Sequence, residues 1–119
     1  MTRGVRDALA MAQLSTLRFR VGAIVMNSNS QYGHCNARKT HPRLRAHGYP
    51  EWADLHAELG AIIKAGGECE GATMYVARLK RGGEVGLARP CPYCMTAIVE
   101  SGIKRVVWTT DDGVEEVRL

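Results

Sequence analysis

Two short stretches of the chain hold residue types that do chemistry together: His56-Ala57-Glu58 and Pro90-Cys91-Pro92-Tyr93-Cys94. Cysteines three apart at the start of a helix aim both sulfurs at one spot, because residues at that spacing are neighbours on one face. A helix N-terminus also favours thiolate over thiol, and thiolate is the form that binds metal. A histidine in the first turn of the preceding helix supplies a third ligand. Three protein ligands leave one tetrahedral position for water, the arrangement of a catalytic rather than a structural zinc. His56, Cys91 and Cys94 are therefore the candidate Zn2+ ligands. Zinc lowers the pKa of a bound water from about 15.7 to about 7, and hydrolysis then needs a group that moves protons. Glu58 is the candidate for that role. His56 and Glu58 are two apart and share no helix face, so the site must lie off the helix end, where first-turn side chains converge. The Ala57 N–H lacks an intrahelical partner there and can donate to a ring carbonyl of a substrate.

Each residue also has a plainer reading. Glu58 alone is a first-turn acid favoured by the helix dipole, and His56 alone is a surface or capping histidine. Cys91 and Cys94 could form a structural zinc site with His56 and a fourth ligand, Cys69 or His34. Cys69, however, sits in a turn with no metal-type spacing around it. Cys91-Pro92-Tyr93-Cys94 also matches the motif of a glutaredoxin-type thiol–disulfide oxidoreductase. In that fold the motif lies near the N-terminus and a later proline strand faces it. Here the motif is late, no proline follows Pro92, and His56-Ala57-Glu58 would have no purpose.

The elements that must position these residues follow from periodicity and punctuation. Val5, Leu9 and Ala12 recur at helical spacing and predict a helix over 5–17. Residues 18–26 alternate as a strand, 27–30 form a turn, and 31–37 return as the second strand of a hairpin. Residues 38–53 form a long loop with Pro42, Pro50, Tyr49, Trp52 and a cluster of cations. Leu55, Leu59, Ile62 and Ile63 mark a second helix stopped by Gly66-Gly67. Residues 73–79 form a strand and 81–84 a turn. Pro92 suits the first position of a third helix, and Gly102 suits its C-terminal stop. Residues 105–110 form a strand, Asp112-Gly113 a hairpin turn, and 114–119 a last short strand. The order α-β-β-α-β-α-β-β predicts an α/β fold built as a three-layer α/β/α sandwich. Its five-stranded sheet is expected to be mostly parallel, with a hairpin and an antiparallel last strand. One domain over 1–119 is expected.

Length and composition bound the function classes. At 119 residues with net charge +4, the chain suits a single globular core and a phosphate-bearing partner. No apolar run approaches the roughly 20 residues that span a bilayer, so no membrane partner is expected. The N-terminus leads into no secretory apolar region, so the expected compartment is cytoplasmic. In a reducing compartment a close cysteine pair is more often metal-binding than a disulfide. The cations concentrate at Arg18 and Arg20 and at Arg38, Lys39, Arg43 and Arg45. The latter four are candidates for a 5′-phosphate, and Tyr49 and Trp52 for closing over a base. No aromatic-rich recognition motif accompanies them, so nucleic acid is not the favoured partner.

Taken together, His56-Ala57-Glu58 and Pro90-Cys91-Pro92-Tyr93-Cys94 match the H-x-E…P-C-x-x-C signature of zinc nucleobase deaminases. The sequence resembles the cytidine and deoxycytidylate deaminase superfamily over nearly its whole length. Val21-Gly22-Ala23-Ile24-Val25 is similar to the family's first strand, and Ser101–Val107 to the segment after the cysteine helix. The resemblance implies that His56, Cys91 and Cys94 bind zinc and that Glu58 shuttles protons. It also implies that Asn36 contacts a sugar. The implied reaction is hydrolysis of a cytosine-containing nucleoside or nucleotide to the uracil product and ammonia, in a homo-oligomer. A base in single-stranded RNA or DNA, or adenine or guanine, stays open as an alternative substrate. Arg89 departs from the family, many of whose members carry glutamate or serine there. The hairpin turn at Asp112-Gly113 is similar to free-nucleoside deaminases, and the basic loop to the nucleotide-binding type.

Overall fold

The computed structural model describes residues 1–50 and 53–119. Helix α1 spans Arg3–Gln13, with the Thr2 hydroxyl accepting from Val5 N at 3.4 Å as its cap. The strands are β1 (Arg20–Met26), β2 (Gln31–Cys35), β3 (Thr73–Leu79), β4 (Val85–Gly86), β5 (Arg105–Thr109) and β6 (Val114–Arg118). The other helices are α2 (Pro42–Ala46), α3 (Ala57–Ala65) and α4 (Pro92–Glu100). A 3-10 turn, Gly66–Cys69, follows α3. Trp52, one of the two loop aromatics singled out above, lies outside the described residues.

The sheet runs β2-β1-β3-β5-β6, with β4 paired to the end of β3. Side chains alternate across it, so one strand serves two layers. Ala23 and Val25 of β1, Met74 and Val76 of β3, and Val106 and Trp108 of β5 face α3 and α4, where Leu59, Ile62 and Ile98 complete the main core. Ile24 and Ala77 point the other way and meet Ala8 of α1. These are the three layers the element order predicts.

The expectation of a mostly parallel sheet is corrected. Among the described residues only β3 and β5 pair in parallel. β1 is antiparallel to both β2 and β3, and β6 to β5. The crossover rule still holds, because β2 and β3 share a direction on either side of α3; β1 is inserted between them. Two short elements escape the sequence. β4 is only two residues long, and α2 sits inside the long loop, where a five-residue helix shows no period. α1 ends at Gln13, short of the predicted 17.

Candidate active site

The long connection before α3 and the one before α4 deliver the two motifs to the same place. His56 is the residue just before α3, with extended backbone (φ −75°, ψ 151°) and no capping bond from its side chain. Its imidazole is thus not spent on the helix end. Cys91 holds the equivalent position before α4, with Pro92 opening the first turn. The Cys91 Sγ accepts from Cys94 N at 3.4 Å. His56 Nδ1 lies 3.6 Å from Cys91 Sγ and 3.3 Å from Cys94 Sγ, and the ligand atoms of the three residues all lie within 4.8 Å of one another. A tetrahedral zinc with ordinary bond lengths spaces sulfur and nitrogen about 3.5 Å apart. One nitrogen and two sulfurs at these separations fit zinc. Among the described residues neither Cys69 nor His34 joins the group. The Cys69 thiol instead faces Ile62 O at 3.8 Å, and His34 Nδ1 turns to Cys35 O.

The electrostatics of the three donors are linked. A hydrogen bond from Cys94, with a further one from His56, holds the Cys91 thiol down to about 4 against its burial. Cys94, facing that thiolate and fully buried, is pushed up. The hydrogen bond to Cys91 raises His56 despite burial. Glu58 is 5 % exposed, and burial raises its carboxyl. Burial and then the charge of Cys94 keep the Tyr49 phenol protonated.

A pocket of about 220 Å³ opens onto this cluster, lined by His56, Ala57, Glu58 and Cys91 together with Val21, Asn36 and Leu87-Ala88-Arg89. Of the ligand, proton-transfer and substrate-contact candidates, His56, Ala57, Glu58, Cys91 and Asn36 line this one cavity, while Cys94 is buried and does not. Asn36 is partly committed: its Oδ1 accepts from Val21 N at 2.9 Å and its Nδ2 donates to Phe19 O at 2.6 Å. One amide hydrogen and a lone pair remain for a ligand. Arg89 rests over the Trp108 ring at 5.9 Å, at the pocket wall. A second cleft of about 360 Å³ adjoins the first through Asn36 and His56, and carries Arg18, Arg38 and Asp54.

Of the four loop cations proposed for a phosphate, Arg38 alone lines this cleft. Arg45 lines a different cleft beside His41 and Pro50, Lys39 another beside His34 and Lys64, and Arg43 faces His47 at 3.4 Å. Tyr49 does not close over the pocket. It is 4 % exposed and packs behind the donors, its ring edge-on to His56 at 5.0 Å. The sequence marked Arg18 only as part of a basic pair and Tyr49 as a residue closing over a base; the cleft position of the first and the packing of the second behind the donors differ from that reading. Leu87 was not singled out, although its place shortly before the cysteine motif could have pointed to it.

The family described as the cytidine and deoxycytidylate deaminase zinc-binding region matches residues 2–110. The deoxycytidylate deaminase of Enterobacteria phage T2 is 42% identical over 66 residues, 50% of this chain and 30% of that protein. The riboflavin biosynthesis protein RibD of Aquifex aeolicus is 40% identical over 86 residues, 60% of this chain and 21% of that protein. The matched segments thus span under a third of these curated relatives. Among solved structures, a cytidine deaminase from Burkholderia pseudomallei superposes with a TM-score of 0.72 at 21% identity, covering 99% of this chain and 93% of that one. A dCMP deaminase from the cyanophage S-TIM5 gives 0.65 at 22% identity, with 92% and 86% covered. At those identities the likeness establishes the fold, α/β with a mixed sheet. With residues 2–110 matched by the family model and the histidine and both cysteines of the signature gathered at one point, the chain belongs to the zinc-binding cytidine and deoxycytidylate deaminases.

Proposed function

We propose that this protein hydrolyses the exocyclic amine of a cytosine-containing nucleoside or nucleotide, with ammonia and the uracil product as outcome. The observation that carries the reading is a buried carboxyl, Glu58, lining the same pocket as the metal-ligand candidates His56 and Cys91. When bound, zinc supplies Lewis acidity that makes a water nucleophilic at neutral pH. Glu58, whose burial raises its affinity for a proton, takes one from the attacking water as it adds at C4. The same carboxyl hands that proton to the ring nitrogen, then takes the second proton from the hydroxyl added at C4 and passes it to the departing amine. The Ala57 N–H, at the first turn of α3, donates to the ring carbonyl and sets the base's orientation. The uncommitted part of the Asn36 amide meets a sugar hydroxyl. Leu87, Ala88 and Arg89 complete the lining of the pocket.

Arg18 and Arg38 in the adjoining cleft favour a phosphate-bearing substrate, with Asp54 partly offsetting them. A homo-oligomer and a cytoplasmic setting belong to the same proposal. The five residues of β6 are all exposed, as an uncovered sheet edge awaiting a partner would be. All four cysteines are free thiols, as a reducing compartment keeps them.

The test measures zinc content and ammonia release for the wild type and Glu58→Ala. The substrates are cytidine, deoxycytidine, their monophosphates, adenosine, guanine and a single-stranded oligonucleotide. We expect zinc in both proteins, ammonia with a cytosine monophosphate, and a loss of about 100- to 10,000-fold in Glu58→Ala. Arg18→Glu with Arg38→Glu should raise KM for the monophosphate and spare the nucleoside. Ammonia from the oligonucleotide alone would favour the nucleic-acid reading. Zinc without ammonia from any substrate would end the proposal.

A further inference from the structure

Tyr49 touches every segment that supplies a ligand candidate. Its hydroxyl contacts Cys94 Sγ within hydrogen-bonding range, and both groups are buried. Its ring meets the His56 imidazole edge-on, at 5.0 Å and 85°. The centre of the ring also lies 5.2 Å from that of Tyr93, inside the cysteine motif itself. The backbone fixes this placement: Tyr49 N donates to Leu44 O at 2.9 Å, and Gly48 turns the chain with φ +81°. Tyr49 is absent from the lining of the substrate pocket, so it does not touch the reacting atoms.

We infer that Tyr49 is a positioning residue that tunes the metal site, its phenol donating to the Cys94 thiolate while its ring holds His56 in orientation. The inference rests on the reading of His56, Cys91 and Cys94 as metal ligands. A thiolate that accepts a hydrogen bond gives less charge to a bound cation, which leaves that cation the stronger Lewis acid. A phenol suits this place because it donates one hydrogen and stays neutral. An aromatic body fills the apolar space between the two helix starts. Without the hydroxyl, Cys94 would keep a buried lone pair unsatisfied. Without the ring, His56 would lose the wall that sets its tilt. The loop that bears Tyr49 thereby becomes part of the metal centre, although it supplies no ligand.

The experiment substitutes Co2+ into the wild type and Tyr49→Phe and records the sulfur-to-cobalt charge-transfer band. Removing the hydrogen bond raises the filled sulfur orbitals, so the band should move to longer wavelength in Tyr49→Phe. Zinc affinity by chelator competition should fall about 10- to 100-fold, beyond what any loss of stability in the metal-free protein accounts for. Global 3-fluorotyrosine labelling keeps every ring and strengthens the phenol as a donor. It should shift the band the opposite way, and it serves if Tyr49→Phe does not fold. A band and an affinity unchanged by both perturbations would overturn the inference and leave Tyr49 as packing alone. A wild type with no sulfur-to-cobalt band would overturn the ligand reading as well.

Discussion

Cys91 and Cys94 belong to one motif but do different work. Cys91 is half-buried and precedes α4, where its sulfur accepts a backbone N–H; Cys94 is fully buried inside the first turn. Hydrogen bonds from Cys94 and His56 hold Cys91 down to about 4. In metal-free protein its thiolate is thus already formed at pH 6, whereas an ordinary thiol ionises near 8.5. Iodoacetamide should therefore alkylate Cys91 before Cys94 and Cys69, at a rate nearly flat from pH 6 to 8, and zinc should protect it. A rate rising about tenfold per pH unit over that range, as for an unperturbed thiol, would contradict the assignment. Peptide mapping by mass spectrometry reads both. The convergence of His56, Cys91 and Cys94 was legible in the sequence because metal-type motifs tie residue type to fixed spacing. Where Tyr49 and Arg18 come to lie was not, since that depends on how loops wrap over a sheet.

The element scale turns on how closely α1 lies against β1. A Cβ at Gly22 would run into Ala8 O and Ala12 N, backbone atoms that cannot swing aside. Gly22→Ala should therefore cost about 1–3 kcal/mol, seen as a lower Tm. Gly67→Ala, with open space around it, is the neutral control. Equal Tm values for the two variants would refute this packing account. Most boundaries were readable from the chain. β3 falls on the predicted 73–79, Pro92 opens α4, and Gly102 follows that helix with φ +88°. Strand partners were not readable. The apolar residues on both faces of β1, Ala23 and Val25 on one and Ile24 on the other, signal burial on two sides, but nothing local says that the strand inserts between β2 and β3.

At the scale of the whole molecule, the ligand candidates stand at the starts of α3 and α4, so a bound cation ties two helices to each other. An ion held at about 1,000 times its Kd adds about 4 kcal/mol to the folded state. Stripping the metal with a chelator should lower Tm by about 10 °C or more, and stoichiometric zinc should restore it. A loaded protein whose Tm ignores the chelator would show that the site carries no structural load. The fold class was legible because layers follow from element order, whereas the mixed direction of the sheet was not. The inserted strand has a further consequence, in the order of events as the chain folds. Cys91 and Cys94 form a local pair on one turn, but His56 lies 35 residues from Cys91. β1 must reach across to β3, Arg20 opposite Leu79, before the connection bearing His56 is bracketed. Distant pairings of this kind form slowly. A cation held by these three candidates would find two of them early and the third only when the sheet has closed, so its capture would report a finished fold.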